Sequence, residues 1–475
     1  MSSVFLGSAA DAAAAGPLII PVWIARALVT VAAGLRAVVR LAPWALVPIL
    51  LSTPPPIVIP AMHGVDLISV WPGIVVSLLV VVAITSSAAA WLPGLGAFIA
   101  WAVVRAALGG WPPESAQTLM WLLFGAVLYL AAVRVPSHGR GVQIERAFVI
   151  GLGCAIGLNA AVGIVNLFGS YPLLSLMPAG FPRQLHIEPH AVGLPMGQLP
   201  HPNHWSLFMA FGVPLLWWAS RRHLGWLLRG AVLTGWLGLV ATGRSRIALA
   251  VAVIGVLALV WRWPGRRGWP VAFATTLAVG AWLVAALVIL QTLRVGALGL
   301  NLTGGRWAVF GYAFPTAWTW KWIGTGLGMW ERWALSPDGL TGYHGGFAGW
   351  FSVAHSEPFQ LWFELGILGV LAGAWAVGTI GRDAVAVWWT DDTLGHAWVV
   401  IALMTALAMW VTIPFRIPVL AVVALVACAR VQVRAKAGRD HAAALRYLSA
   451  GIWASTTGQW SKGEVAGVPV MLRDG

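Results

Sequence analysis

IERAFVIGLGCAIGLNAAVGIVNLF, residues 144–168, decides the class of this protein. Beyond Arg146 it holds no charged residue, and its two Asn are spaced among small and apolar side chains. A transmembrane helix needs about 20 consecutive apolar residues. This stretch meets that length, and it is one of many. Similar runs lie at 41–60, 67–91, 93–108, 117–135, 203–219, 224–242, 246–262, 269–293, 359–380, 395–413 and 417–430. An earlier stretch, 17–40, carries Arg26 and Arg36 and reads as a tilted span or an interfacial helix.

The whole chain has the same bias. Of its 475 residues 59% are apolar and only 9% charged, against roughly 25% charged in an ordinary globular domain. That excludes a soluble enzyme, a disordered chain and a disulfide scaffold. The expected fold is all-α: a polytopic integral membrane protein with about 11–13 transmembrane helices and a large periplasmic loop. The two cysteines, Cys154 and Cys428, form no framework. The first residues, MSSVFLGSAADAAAAG, lack a basic region, so no cleavable signal is expected. No internal repeat is visible, which weighs against a transporter built on inverted repeats.

The net charge is +14, and of the 29 basic residues only Lys321, Lys436 and Lys462 are lysine. In a soluble chain that excess would suggest nucleic acid. In an apolar chain it follows from the preference of basic loops for the cytoplasm, so no nucleic-acid partner is expected. Four basic clusters obey this preference together: Arg134, Arg140 and Arg146; Arg221, Arg222 and His223; Arg262, Arg266 and Arg267; and the tail with Arg434, Lys436 and Arg439. The outer face then receives segments 169–202, 243–245, 294–358 and 414–416. The expected organisation is 1–40 as a first membrane segment and 41–293 as transmembrane helices with the outer loop 169–202. The large periplasmic loop 294–358 follows, then transmembrane helices at 359–430 and a dispensable cytoplasmic tail at 431–475. The loop 294–358 is rich in Gly and Trp and is expected to fold against the membrane. Trp, at 31 residues, suits the interface.

Some cations break the charge rule. Arg244 and Arg246 stand in ATGRSRIA, Arg306 in LTGGRWAVFGYAF and Arg416 in TIPFRIPVL, all assigned to the outer face. His355 and Glu357 stand in VAHSEPFQLWFELGILG. Charge beside hydrocarbon is costly and marks function. Arginine forks onto phosphate oxygens, and histidine exchanges a proton near neutral pH. Together they suit a reaction in which arginines hold a diphosphate leaving group and a histidine activates a hydroxyl.

Four motifs occur in order: HPNHWSLFMAFGVPLLW (201–217), TGRSRIALA (242–250), GGRWAVFGYAF with WIGTGLGMW (304–330), and AHSEPFQLWFELGILG (354–369). In order and spacing, over 200–420, they resemble the O-antigen ligase and O-antigen polymerase superfamily of bacterial glycan assembly. The resemblance implies an inner-membrane glycosyltransferase with its active site on the periplasmic face. Its donor is a glycan on undecaprenyl diphosphate, and its acceptor is a glycan or lipid A-core hydroxyl. It implies no cofactor and no metal, with membrane lipids as surroundings. It maps the base onto His355, diphosphate binding onto Arg246 and Arg306, and a helix glutamate onto Glu364. Arg244 and Arg416 are further diphosphate candidates, with Glu357, Glu364 and Asn203 in support. Ser356 stands where many members have Asn, Ile247 where many have Gly, and the extra Arg244 leaves open which arginine of that pair meets phosphate. One nucleophilic step suffices, so inversion at the anomeric carbon is expected.

Competing readings are a transporter or flippase of lipid-linked glycans, and a transferase class using acidic residues of the first outer loops. The latter would have only Asp66 and Glu114 to work with. The segment HIEPHAVGLPMGQLPHPNH (186–204) offers His186, Glu188, His190, His201 and His204 to a metal. Its spacing is not that of a helical zinc motif, and Pro189 breaks any helix there. It reads as a loop over the site, with Asn203 capping the helix that follows.

Overall fold

The computed structural model describes residues 93–110, 112–136, 139–168, 202–221, 224–243, 245–261, 306–334, 356–410, 418–457, 460–465 and 468–474, with a few isolated positions and most of 41–49. The expected segments 17–40, 67–91 and 269–293 lie outside the described residues, as do 169–201 of the first outer loop.

The described chain is mainly helical. In order it forms α1 (Pro93–Leu108), α2 (Pro113–Arg134), α3 (Arg140–Leu167), α4 (Pro202–Ser220), α5 (Trp226–Thr242) and α6 (Arg246–Trp261). Then come α7 (Arg306–Thr319), α8 (Met329–Ala334), α9 (Glu357–Trp388), α10 (Thr393–Ala408) and α11 (Pro418–Thr457). Two helices, Gly141–Leu167 and Glu357–Trp388, are long and apolar enough to cross a membrane, and five shorter ones are comparably apolar. Within the described residues, the apolar runs read at 93–108, 117–135, 144–168, 203–219, 224–242, 246–262, 359–380, 395–413 and 417–430 each overlap a helix.

Three departures have physical causes. The tail after Arg430, expected to hold one short helix at 440–450, continues α11 without a break to Thr457, and an antiparallel hairpin follows, β1 (Trp460–Val465) against β2 (Val468–Asp474). Alanine-rich sequence such as AKAGRDHAAALRYLSA propagates a helix already nucleated by its apolar half. The expected all-α class therefore ends in a small β element. Asn203 is not the cap of α4 but its second residue. Pro202 takes the first helical position, where the missing N–H is no loss. Third, α9 is not one continuous helix. Gly366 adopts φ 67°, ψ −170° and divides it into 357–365 and 367–388.

The helices touch closely where glycine meets a neighbour. A Cβ on Gly94 of α1 would lie 2.6 Å from the Ala376 amide nitrogen of α9. Gly163 of α3 receives the Trp205 indole of α4, which donates to the Asn159 carbonyl at 2.9 Å. Gly212 of α4 likewise receives Trp236 of α5, which donates to the Met209 carbonyl at 2.7 Å. Trp101 donates to the Leu365 carbonyl at 2.8 Å, and Trp398 to Glu145. Part of the tryptophan excess thus serves as bolts between helices: the ring fills the gap and its N–H meets an acceptor on the neighbouring helix.

One end of the bundle is tied by ions. Glu145 of α3 is buried and pairs with Arg430 at 3.1 Å and Arg434 at 3.0 Å, both on α11. Arg434 also reaches Asp392 at 2.9 Å, and Arg439 reaches the buried Asp383 at 2.8 Å. The Tyr129 hydroxyl of α2 donates to Gln432. The sequence reading had placed the 134–146 loop and the tail on one side. Here both meet at one cluster, together with the α9–α10 turn.

Candidate functional site

The opposite end of α9 holds the motif residues. The break at Gly366 frees backbone groups that a continuous helix would pair. The chain 321–326, between α7 and α8, pairs them instead. Thr325 N–H donates to the Phe363 carbonyl at 2.8 Å and Gly326 N–H to the Glu364 carbonyl at 3.0 Å. In return Ile367 N–H donates to the Lys321 carbonyl at 2.8 Å and Leu368 N–H to that of Trp322 at 3.4 Å. This close crossing needs two glycines. A Cβ on Gly324 would collide with the Glu364 carbonyl, and one on Gly366 with the Trp322 carbonyl. Both also have positive φ, 74° and 67°. We expect Gly366→Ala and Gly324→Ala each to cost about 1–3 kcal/mol from backbone strain, with the collision in addition. Gly381→Ala on the same helix meets nothing within 4 Å and should be neutral or slightly stabilising. Melting of the purified variants checks this, and equal melting of all three would contradict it.

Glu364 completes the crossing from its side chain. It is buried and accepts from Gly328 N–H at 2.9 Å, Trp330 N–H at 3.4 Å and the Gln360 amide at 2.7 Å. Gln360 in turn accepts from Ala354 N–H at 3.2 Å. Two more side chains reach in from α1 and α2. Arg105, itself buried, donates to the Gly324 carbonyl at 2.8 Å, and the Ser115 hydroxyl donates to that of Leu327. The turn GTGLGMW is therefore held from three helices, α1, α2 and α9, and Glu364 is its central acceptor.

An aromatic cluster sits above. Val309, Ala313 and Ala317 of α7, Trp330 and Ala334 of α8, Phe363 of α9, and Ala354 pack as one buried group. Phe310 lies 4.6 Å from Phe359, and Trp330 lies 5.0 Å from Phe363 between ring centres. Arg306, the first residue of α7, is one helical turn from Val309 in this group. The Ala354 and Ser356 positions that flank His355 are both buried, Ala354 in the same group. The Ser356 hydroxyl accepts from Phe359 N–H at 3.4 Å and caps α9. Serine in place of asparagine preserves this cap, since both are good N-caps.

None of the described sequence-predicted residues is itself in this cluster, but Val309, one turn after Arg306, and Ala354, just before His355, both are, and Glu364 bonds its member Trp330 through the backbone N–H. Glu357 is buried at the first turn of α9, its N–H donating to the Met409 carbonyl at 2.8 Å. That bond joins the start of α9 to the end of α10, which packs on α6. Arg246 is the first residue of α6 and is exposed, and Ser245 before it caps the helix through Ala248 N–H at 3.3 Å. His355, Arg244 and Arg416, and the side chain of Arg306, lie outside the described residues. Asn203 sits in the first turn of α4, away from the Glu364 contacts just described.

The sequence reading assigned no role to Arg105, which supports the Gly324 carbonyl. It also passed over Gln360, and Arg332, exposed on α8 beside Trp330. A buried arginine in an apolar helix was a usable signal. Gln360 had none. Of the possible metal residues, His186, Glu188, His190 and His201 lie outside the described residues. Among the described residues, no three His, Cys, Asp or Glu gather as a metal site. Compared with known proteins, the sequence matches no family model and no curated protein significantly.

Proposed function

We propose that the chain is a multi-pass protein of the bacterial inner membrane. Its activity is a metal-independent, inverting glycosyl transfer of the O-antigen ligase or polymerase type. The donor is a glycan on undecaprenyl diphosphate, and the acceptor is a glycan or lipid A-core hydroxyl. The observation that carries this reading is the interlock of two of its motifs. GTGLGMW and the ELG of α9 are spliced through Glu364, Gly324 and Gly366, and Trp330 and Phe363 of the same two motifs belong to the cluster that also holds Val309 of α7 and Ala354. Motifs that resemble a family in order also depend on one another in space.

In this reading Arg306 and Arg246, with Arg244 and Arg416 in reserve, bind the diphosphate. Charge builds on the leaving oxygen as the lipid diphosphate is displaced from the anomeric carbon, and guanidinium groups in a partly dry site stabilise it. His355 takes the acceptor hydroxyl proton as the new glycosidic bond forms. Glu364 is assigned to scaffolding because its two oxygens are already occupied by three donors.

The break at Gly366 favours a second reading, a transporter, since transport sites often use discontinuous helices. Here the carbonyls of Phe363, Glu364 and Leu365 are each engaged by 325, 326 or Trp101, so they are not presented to a substrate or ion. Strains carrying His355→Ala or Arg306→Ala should lose surface glycan while the protein stays inserted at wild-type level. Lipid-linked glycan should then accumulate outside the cytoplasm. Accumulation inside would select the transporter, and wild-type glycan in the His355→Ala strain would sink the transferase. A gel ladder reduced to one repeat would mean polymerase, and loss of every repeat ligase.

A further inference from the structure

We propose that the exposed aromatic ledge at the end of α7 is a lipid-interface anchor, which fixes the headgroup plane of the outer leaflet at the level of Gly366. The inference rests on the membrane reading above. Phe314, Trp318, Trp320 and Trp322 are all exposed, at 47%, 54%, 48% and 62%. They stand on one short stretch of chain. Phe314 stacks on Trp318 with ring centres 5.8 Å apart, and the Lys321 ammonium lies 4.4 Å from the Trp318 ring.

The height of this ledge is set by its backbone. Trp322 accepts from Leu368 N–H and Lys321 from Ile367 N–H, so the ledge is level with the residues just past the break. Beyond that level, toward the Glu145 end, α9 exposes Leu368, Leu371, Trp375 and Val377. From Gly366 to the buried Asp383 the helix rises about 26 Å, close to the roughly 30 Å of a hydrocarbon core. On the other side of the break, 357–365 carries the buried polar Glu357, Gln360 and Glu364. The helix thus changes from polar to apolar character at Gly366, and the ledge continues its apolar exterior at the same height. Indole rings with one adjacent ammonium match the zone where acyl chains meet phosphates. Phe314 also meets Trp362, one turn before the break, at 5.5 Å between ring centres, so the ledge starts beside 357–365 and reaches the level of Ile367 and Leu368 at Lys321 and Trp322. The occupant is the bilayer surface itself, with Lys321 toward lipid phosphate.

The test uses single cysteines in full-length protein carrying Cys154→Ser and Cys428→Ser, reconstituted in vesicles of phosphatidylcholine with phosphatidylglycerol. One variant carries Trp320→Cys and the other Trp375→Cys, each labelled with an environment-sensitive fluorophore. The 320 label should be quenched severalfold more by a lipid with a shallow nitroxide than by a deep one, and little by aqueous iodide. The 375 label should prefer the deep nitroxide. A 320 label quenched mainly by iodide, or by neither agent, with the 375 label still deep, overturns the anchor and leaves the membrane reading standing. A 375 label reached by iodide and by no lipid quencher overturns both.

Discussion

Replacing Glu364 by alanine is expected to collapse the turn GTGLGMW and cost roughly 3–5 kcal/mol, from about 1–3 for each buried donor stranded. Gly328 N–H and the Gln360 amide lose their acceptor outright, and Trp330 N–H loses a longer one. Water cannot replace the carboxylate cheaply, because residues 326–328 are themselves buried. Against a typical total of about 5–15 kcal/mol, the loss is large enough to depress the melting temperature well outside assay error. Glu364→Gln should fall between, since its amide oxygen accepts while its NH2 faces a donor. Thermal unfolding in detergent and limited proteolysis between 318 and 334 are the measurements. A Glu364→Ala protein that melts like wild type but fails in transfer would move Glu364 from scaffold to substrate.

That prediction could not have come from sequence. The ELG of α9 reads there as ordinary helix, because a glycine inside an apolar run carries no sign of its φ. Nothing local says that Gly324 and Gly366, which are distant in sequence, approach backbone to backbone. The helices themselves were legible for the opposite reason. Where charge is this scarce, charged and Pro-Gly clusters mark several ends, and 93–108, 203–219, 224–242 and 246–262 fall close to α1, α4, α5 and α6, although α9 and α11 run on through theirs.

Charge was legible as distribution and not as pairing. Arg434 and Arg439 were grouped with Arg134, Arg140 and Arg146 as basic residues of one face, and Arg434 pairs with Glu145, the chain neighbour of Arg146. Counting cations hid the acids they serve. Glu145, Asp383 and Asp392 sit in short segments between apolar runs and look like incidental loop charges until α3, α9 and α11 are brought together. The same blindness covered Arg105, whose partner is a carbonyl far along the chain.

The ion cluster yields the second large effect. Arg430→Met removes a guanidinium that is only 2% exposed and that serves Glu145, the Val135 carbonyl and, at 3.3 Å, the Pro136 carbonyl. These carbonyls end α2, where helix geometry leaves acceptors unpaired. Breaking one side of a buried pair typically costs about 3–5 kcal/mol, mostly because the surviving charge stays buried. Glu145 keeps Arg434 and the Trp398 indole, so the lower half of that range is expected. The pair Arg430→Met with Glu145→Gln should be less harmful than the sum of its single changes, because the double variant strands no carboxylate. A strictly additive double variant would mean that the two side chains stabilise the fold independently. A chain ending at residue 433 tests the same cluster from the other side. It keeps Arg430 but loses Arg434 and Arg439, leaving Glu145 with one cation and Asp383 without the Arg439 it pairs with. It should therefore melt below a chain ending at 457, which keeps every one of these pairs. Equal melting would return 434–457 to the role of a dispensable tail that its composition suggests.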